Sequence, residues 1–114
     1  MIIRRNEMKT EVKEKMRGGE GTAHITHLVS CDSEKNVRLL AELTLPPGAS
    51  IGDHAHESEA EYYFILSGNG IVNDDGTDTP VQAGDTVVTK DGASHSIRNT
   101  GNVPLVLHAV IVTY

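Results

Sequence analysis

The sequence is short of aromatic side chains: among its 114 residues are no Trp, one Phe and three Tyr. Aromatic rings therefore cannot fill the interior, and aliphatic side chains must do so. A chain of this length builds only one hydrophobic core. These features favour a closed structure lined by Val, Ile and Leu over a large open sheet.

Cysteine and long apolar runs are also scarce. Cys31 is the only cysteine, which excludes an internal disulfide and leaves no second thiol for a zinc ribbon or a redox pair. The longest apolar stretches, such as Leu105 to Val112, fall far short of the ~20 residues that a membrane helix needs. Ile2 and Ile3 are followed by Arg4 and Arg5 and by no further apolar run, which is unlike a secretory leader. We therefore expect a cytoplasmic protein with no membrane partner.

Positive charge is in the minority. The 10 Lys and Arg residues are outnumbered by 16 Asp and Glu residues, and the net charge of −6 makes nucleic acid an unexpected partner. Charged residues of both signs crowd the first 17 positions, and Gly18 to Gly21 follow as a hinge. We expect residues 1–21 to be a charged arm that stays loose unless a partner subunit holds it, and residues 22–114 to be one domain.

From Gly21 onward, short β-branched runs alternate with Gly, Pro, Asn and Asp, which predicts an all-β domain. The predicted strands are Thr22 to Val29, Val37 to Leu45, Glu61 to Leu66, Gly70 to Asn73, Thr86 to Thr89, His95 to Asn99 and Leu105 to Val112. Asn73 to Gly76 and Asn99 to Asn102 predict tight hairpin turns between consecutive antiparallel strands. Closure into a barrel, or pairing with another subunit, must cover the many strand edges.

Two histidines separated by one residue, His54 and His56, carry the first chemical signal. On an extended segment, residues i and i+2 point to the same face, so both imidazoles can converge. The four residues that follow let the chain turn, so that Glu61 adds a carboxylate. His95 opens a later strand and supplies a third imidazole if that strand lies beside the others.

Three imidazoles and one carboxylate suit one divalent transition metal ion, namely Mn, Fe, Co, Ni, Cu or Zn, better than Ca or Mg. On an ion that prefers six ligands, two positions stay open for a substrate or dioxygen. A single His such as His95 is more often a hydrogen-bonded core residue, so its prediction depends on the joint pattern. Glu57 and Glu59 are alternative carboxylates, although a solvated rim is the usual role of such turn residues.

The spacing of these residues resembles the two motifs of the cupin family. The first motif, a Gly, His-x-His, Glu and Gly, is matched by Gly48, His54, His56, Glu61 and Gly68. The second motif is matched by Gly84, Gly92, His95 and Asn99, with Lys90 where the family usually has Pro. The resemblance covers roughly residues 37–112. It implies a small antiparallel β-barrel, the double-stranded β-helix or jelly roll, with the metal ligands pointing inward and commonly as a homodimer.

The period of two along a strand predicts which other side chains face the cavity. If Glu61 points inward, so do Tyr63 and Ile65, and an inward His95 carries Ile97 and Asn99 with it. Tyr63 is the candidate catalytic residue, because its phenol could meet a substrate or a metal-bound water. The alternative role for Tyr63 is to fill the barrel, with its hydroxyl bonded to the backbone. Asn99 is expected to cap the turn at Thr100 and Gly101.

Two further histidines, His27 and His108, lie on predicted strands and could contact a substrate, although ordinary packed histidines are more common. Among charged residues, Lys90, Arg98 and Arg38 are the evident phosphate-binding candidates. Motifs for phosphate loops, nucleophile elbows and zinc-protease helices are missing from the sequence, which disfavours phosphoryl and acyl transfer.

The resemblance leaves the reaction open, because one fold hosts many functions. We expect a metal-dependent enzyme of the decarboxylase or dioxygenase type that acts on a small, oxygen-rich substrate. One alternative is a non-catalytic module that binds a sugar or a small acid. The other is a sugar isomerase of the cupin type.

Finally, the sequence predicts a homodimer. Ala23, Ile25, His27 and Val29 form an apolar stripe outside the two motifs, and an isolated edge strand of this kind needs a cover. We therefore expect the interface to include Thr22 to Val29 and the charged arm before it.

Overall fold

The computed structural model describes all 114 residues apart from the side chain of Ser33. Its strands are β1 Thr10–Glu14, β2 Thr22–His27, β3 Val37–Leu45, β4 Ser50–Ala55, β5 Glu59–Ser67, β6 Asn69–Asp74, β7 Thr77–Gln82, β8 Thr86–Lys90, β9 Ser94–Asn99 and β10 Leu105–Thr113. Short 3-10 turns lie at Arg5–Glu7, Met16–Gly18 and Cys31–Ser33. Among the described residues, no helix is both long enough and apolar enough to cross a membrane. The all-β prediction is confirmed.

The strands form two antiparallel sheets that enclose the core between them. The first sheet has the order β1-β2-β3-β10-β5-β8, and the second has the order β4-β9-β6-β7. Alternate residues point inward, so Leu43 and Leu45 from the first sheet meet Ile51 and Ile97 from the second in one buried cluster. The cluster is almost wholly aliphatic, as the composition predicts, and Tyr63 is its aromatic member.

All seven predicted strands are present, and β3 has the predicted bounds. The sequence missed β1, β4 and β7, and each of these three lies at the edge of a sheet. An edge strand bonds to one neighbour and needs little apolar surface, so its sequence carries a weak strand pattern. In β7, for example, Pro80 is tolerated and only Val81 is buried.

One of the two predicted hairpins is confirmed. Asp75 and Gly76 both have positive φ, at 48° and 101°, and connect the paired strands β6 and β7. The other prediction is wrong, because the chain after Asn99 crosses from β9 in one sheet to β10 in the other. Asn99 does cap this turn as expected, since its Oδ1 accepts the Gly101 N–H at 2.9 Å. Local turn chemistry fixes the bend and leaves open which strand the chain pairs with next.

The N-terminal segment is built into the fold and is not loose. Strand β1 pairs with β2, with Glu11 opposite Ile25 and Lys13 opposite Ala23. The expectation that β2 is an uncovered edge strand is wrong, because β2 lies between β1 and β3. Ala23 and Ile25 are buried in the core of their own chain, so the stripe that predicted an interface there is already covered. The division at residue 21 remains a prediction.

The turn Met16–Gly18 packs directly on β4. A Cβ atom added to Gly52 would overlap the Arg17 carbonyl oxygen, and one added to Gly19 would overlap the Ser50 carbonyl oxygen. Ser50 also accepts the Glu20 N–H on its Oγ at 2.8 Å and donates its own N–H to the Glu20 carbonyl at 2.9 Å. Glycine at these positions therefore allows the N-terminal segment to approach β4.

We predict that Gly52→Ala lowers the free energy of unfolding by about 1–3 kcal/mol, because the added methyl group meets backbone that must shift. Gly101→Ala is the matched control, since its Cβ would have ordinary contacts of 3.6 Å or more. Urea unfolding of both variants measures the difference. Equal stability of Gly52→Ala and the parent chain would show that the turn does not pack on β4 as described.

Candidate metal centre

All four predicted ligands converge at one point between the two sheets. His54 lies on β4 directly opposite His95 on β9, and Glu61 reaches across from β5 in the other sheet. His56 follows β4, where its N–H and carbonyl bond to Ala93 and Gly92. One ligand atom from each of the four side chains lies within 4.8 Å of all the others. The cluster is compatible with metal binding.

Each imidazole is held by a hydrogen bond at its Nδ1 atom. His54 Nδ1 lies 2.7 Å from the Gly52 carbonyl oxygen, and His56 Nδ1 lies 2.5 Å from Glu59 Oε2. His95 Nδ1 lies 2.8 Å from Thr89 Oγ1. Carbonyl and carboxylate oxygens only accept, so the proton of His54 and of His56 belongs on Nδ1. In the neutral imidazoles of His54 and His56, the Nε2 atoms are thus left as lone-pair donors that face the cluster. The Thr89 hydroxyl can donate or accept, and when it accepts from His95 Nδ1 the Nε2 atom of His95 has a lone pair as well.

The Nε2 atoms lie around one carboxylate oxygen, Glu61 Oε1. This oxygen has no hydrogen-bond donor among the described residues. This oxygen lies 2.9 Å from His56 Nε2 and 2.8 Å from His95 Nε2. Several lone pairs directed at one buried point repel one another unless a cation lies between them. The arrangement of the donors therefore fits a metal ion.

The donor atoms of the cluster are also close to one another. His95 Nε2 lies 3.1 Å from both His56 Nε2 and His54 Nε2, and His54 Nε2 lies 3.7 Å from Glu61 Oε1. Bonds from a transition metal to nitrogen and oxygen ligands are about 2.1 Å long, so one ion could contact all four atoms.

The charge of the Glu61 side chain suits a metal ligand. Burial raises the pKa of Glu61, and the neighbouring imidazoles, where they carry a proton in place of a metal ion, outweigh burial and lower that pKa to about 2. Glu61 is therefore a carboxylate near neutral pH, and it is only 4% exposed. A buried anion of this kind needs a positive partner.

Tyr63 lies against the cluster, as the period of two predicts. Its ring stacks on His95 with centroids 4.7 Å apart and planes 15° apart. Burial, followed by the charge of Glu61 and a hydrogen bond to it, raises the pKa of Tyr63 well above its ordinary value. Tyr63 is thus a neutral phenol in the cavity wall, and its hydroxyl can donate a hydrogen bond but not act as a base.

A cavity of about 520 Å³ opens onto His54, His56 and Glu61, while His95 lies behind them. Apolar side chains such as Leu43, Ile51 and Ile111 form its deeper walls. Charged residues of the N-terminal segment, which the sequence assigned to an arm outside the domain, form much of its rim. These are Glu11, Lys13, Glu14, Lys15 and Arg17.

Some of the remaining predicted residues line the cavity, and others lie elsewhere. His27 lines the cavity, with its Nε2 atom 2.5 Å from Glu11 Oε2. His108 pairs instead with Glu42 at 3.1 Å and does not line the cavity. Of the three phosphate candidates, Arg38 lines the cavity, whereas Lys90 and Arg98 do not.

Sequence reasoning missed the residues that hold the ligands. Glu59 bonds to His56 and is itself held by Arg38, whose Nε and Nη2 atoms lie 3.0 and 2.8 Å from its two oxygens. The Arg38 hydrogen bond lowers the pKa of Glu59 against the effect of burial, and His56 lowers it further. Glu59 is therefore an anchor for a ligand and not a substitute ligand. Thr89 was detectable, because it shares the inward side of β8 with Val87.

Known proteins resemble this chain over its whole length. A family model described as the cupin domain matches residues 41–112. A protein named oxalate-binding protein, from Thermotoga maritima, is 47% identical over 113 residues, which cover 98% of this chain and 93% of the relative. The crystal structure of a predicted oxalate decarboxylase from Thermotoga maritima has a TM-score of 0.94 at 45% identity, with 100% of both chains covered.

More distant structures share the fold alone. A sugar phosphate isomerase of the cupin superfamily from Silicibacter pomeroyi has a TM-score of 0.79 at 15% identity, and the match covers 100% of this chain and 76% of that one. The double-stranded β-helix implied by the resemblance is confirmed by the sheets and by these matches. The family model covers well over half of the chain, including all four converging residues. The chain belongs to the cupin family.

Proposed function

We propose that this chain binds one divalent transition metal ion through His54, His56, Glu61 and His95, and that the ion holds a small dicarboxylic acid of the oxalate class. The observation that carries the proposal is the buried Glu61 Oε1 atom, which faces imidazole nitrogens and has no hydrogen-bond donor among the described residues. A bound cation satisfies this oxygen and the nitrogens together.

The donor set supports a first-row ion, because imidazole and carboxylate groups bind Mn, Fe, Co, Ni, Cu and Zn. When bound, such an ion supplies Lewis-acid polarisation or, where the metal allows it, redox chemistry. The protein orients the ligands through Gly52, Glu59 and Thr89, and the apolar walls of the cavity limit the access of water. Two neighbouring open positions suit a chelating acid.

The proposed ligand class is supported by the relative that shares 47% of its residues and is named an oxalate-binding protein. The cavity of about 520 Å³ is of a size for small molecules. Its rim includes cationic side chains, which favour an anion. A sugar phosphate has less support, because Lys90 and Arg98 do not line the cavity.

The reaction that we propose is decarboxylation of the bound acid, or its oxidation by dioxygen as the electron acceptor, with Tyr63 as a neutral donor to a ligand oxygen. The alternative is a module that holds the acid without converting it, and the name of the Thermotoga maritima relative favours this alternative. Metal-loaded protein and oxalate, assayed by calorimetry for binding and by carbon dioxide release and oxygen uptake for turnover, decide between them. Binding without product supports the module, and failure to bind contradicts both.

We predict that His56→Ala removes most of the metal, because one of four ligands is lost and the others are then poorly held. Elemental analysis of protein purified without a nickel column measures the metal content. His24→Ala is the matched control, since His24 is exposed on β2 and lies outside the cluster. A full equivalent of metal bound to His56→Ala at the parent affinity would show that the ligand set is wrong.

We predict that Glu59→Gln weakens metal binding by about 10- to 100-fold, because the carboxylate that orients His56 is replaced by a neutral amide. Competition with a chelator measures the metal affinity. Glu57→Gln, two residues earlier in the exposed turn, should leave that affinity unchanged. If the metal affinity of Glu59→Gln equals that of the parent protein, Glu59 pairs with Arg38 and does not orient His56 for metal binding.

We propose that the homodimer forms through the outer face of the first sheet. On this face Phe64, Leu66 and Val88 are 40–45% exposed on the neighbouring strands β5 and β8. A contiguous apolar patch on a sheet face marks an interaction surface. An isologous contact between two copies would bury it on both.

Light scattering is expected to give twice the chain mass of 12.3 kDa, and Leu66→Glu is expected to shift the protein toward the monomer. Val103→Glu is the control, because Val103 is also exposed, at 53% against 45% for Leu66, but lies in the loop before β10 and not on the patch. A parent protein that scatters as a single chain contradicts the dimer. A dimeric Leu66→Glu variant contradicts this interface.

A further inference from the structure

We infer that Arg17 binds the outer carboxylate oxygens of the acid and thereby selects dicarboxylates over monocarboxylates. This inference rests on the proposed function, because it assumes an acid held at the His54, His56, Glu61 and His95 cluster. It assigns a ligand-binding role to a segment that lies outside both cupin motifs and outside the matched residues 41–112.

The first argument is the way in which the backbone holds Arg17. The carbonyl group of Arg17 packs on Gly52, where an added Cβ atom would overlap it. The carbonyl oxygen of the same Gly52 lies 2.7 Å from Nδ1 of the ligand His54. A single residue of β4 therefore supports both the turn that carries Arg17 and a side chain of the cluster. The position of the turn is tied to the position of the site.

The second argument is the conformation of the turn. Arg17 has a φ of 55° and Lys15 a φ of 49°, in the left-handed region that non-glycine residues seldom adopt. Such backbone persists only when the surrounding structure demands it, and it is concentrated at functional sites. Of the six non-glycine residues with positive φ, only Lys15 and Arg17 line the cavity.

The third argument is the charge of the cavity. The chain has a net charge of −6, yet cations outnumber carboxylates in the lining of this cavity. Four Lys and Arg residues line it, namely Lys13, Lys15, Arg17 and Arg38, against the three carboxylates Glu11, Glu14 and Glu61. Cations concentrated in a cleft with low-dielectric walls attract an anion. The Arg17 charge also lies close enough to Tyr63 to oppose the rise in the pKa of that phenol.

Among these cations, Arg17 is the best suited to a carboxylate. Arg38 already binds both oxygens of Glu59. Arg17 forms no ion pair within the described part of the chain, so a ligand displaces no protein partner from it. A guanidinium group presents paired N–H donors that can bind two neighbouring oxygens, such as the one outer oxygen that each carboxylate of a chelated oxalate retains. An ammonium group offers a single point of charge.

Charged side chains on an edge strand have another known role, which is to prevent pairing with other chains. That role accounts for Glu11 and Lys13, which lie on β1 at the edge of the first sheet. It does not account for Arg17, which lies beyond the strand in a turn packed on β4.

Oxalate and glycolate test whether Arg17 binds the second carboxylate of the acid. Both acids form the same five-membered chelate with a metal ion, and only oxalate carries a second carboxylate. Calorimetry is done with each acid on protein that holds one equivalent of Mn²⁺, confirmed by elemental analysis. The variants are Arg17→Gln, Arg17→Lys and the control Arg98→Gln, which removes a cation that does not line the cavity. Circular dichroism and metal content establish that each variant is folded and loaded.

We expect Arg17→Gln to keep its metal, to bind oxalate about 10- to 100-fold more weakly and to bind glycolate within about 3-fold of the parent protein. Arg17→Lys should recover part of the loss, and Arg98→Gln should match the parent. Equal weakening toward both acids, or no weakening toward oxalate, overturns the role of Arg17 and leaves the proposed function intact. A parent protein that binds Mn²⁺ but neither acid overturns both.

Discussion

Three imidazole nitrogens and one carboxylate oxygen are held facing one another inside this protein, and much of the structure serves that arrangement. The side chains of His56, Glu61 and His95 are almost wholly buried. Electron pairs directed at one buried point destabilise a fold unless a cation joins them. The residues that hold the imidazoles, which are Gly52, Glu59 and Thr89, act against this repulsion by fixing the Nδ1 atoms.

The two-sheet fold makes this possible because it divides the ligands between opposing faces. Strands β4 and β9 present His54 and His95 from the smaller sheet, and β5 presents Glu61 from the larger one. The aliphatic core packs these sheets together without help from the site. The four converging side chains therefore take their positions from the packing of the two sheets, and the cavity opens onto His54, His56 and Glu61.

The N-terminal segment completes the cavity. Strand β1 extends the larger sheet, and the Met16–Gly18 turn returns across β4 at Gly52. The core of the family motif supplies the ligands, while this segment supplies most of the charge that surrounds the entrance. A common metal centre can serve different ligands when the segment that borders it changes.

Strands with one apolar face could be predicted from the sequence. Burial of one side of a strand directly gives a period of two in its apolar residues. Glu61 and His95 were predictable for the same reason, since each shares the inward parity of its strand. His54 and His56 were predictable from their spacing and not from strand parity, because the register shifts between Ile51 and His54 and because His56 lies after the end of β4. Three of the four edge strands were not predicted, because β1, β4 and β7 bury few side chains. The fourth, β8, was predicted, since its Val87 and Thr89 alternate with exposed residues.

The sequence by itself determined the composition of the core, the all-β class and the identity of the converging side chains. Tertiary structure alone decided that β2 is an inner strand, that Glu59 anchors His56 and that Arg17 borders the cavity. Each of these depends on which strands become neighbours across the two sheets. That choice is made by the packing of the whole core, and no local run of residues encodes it.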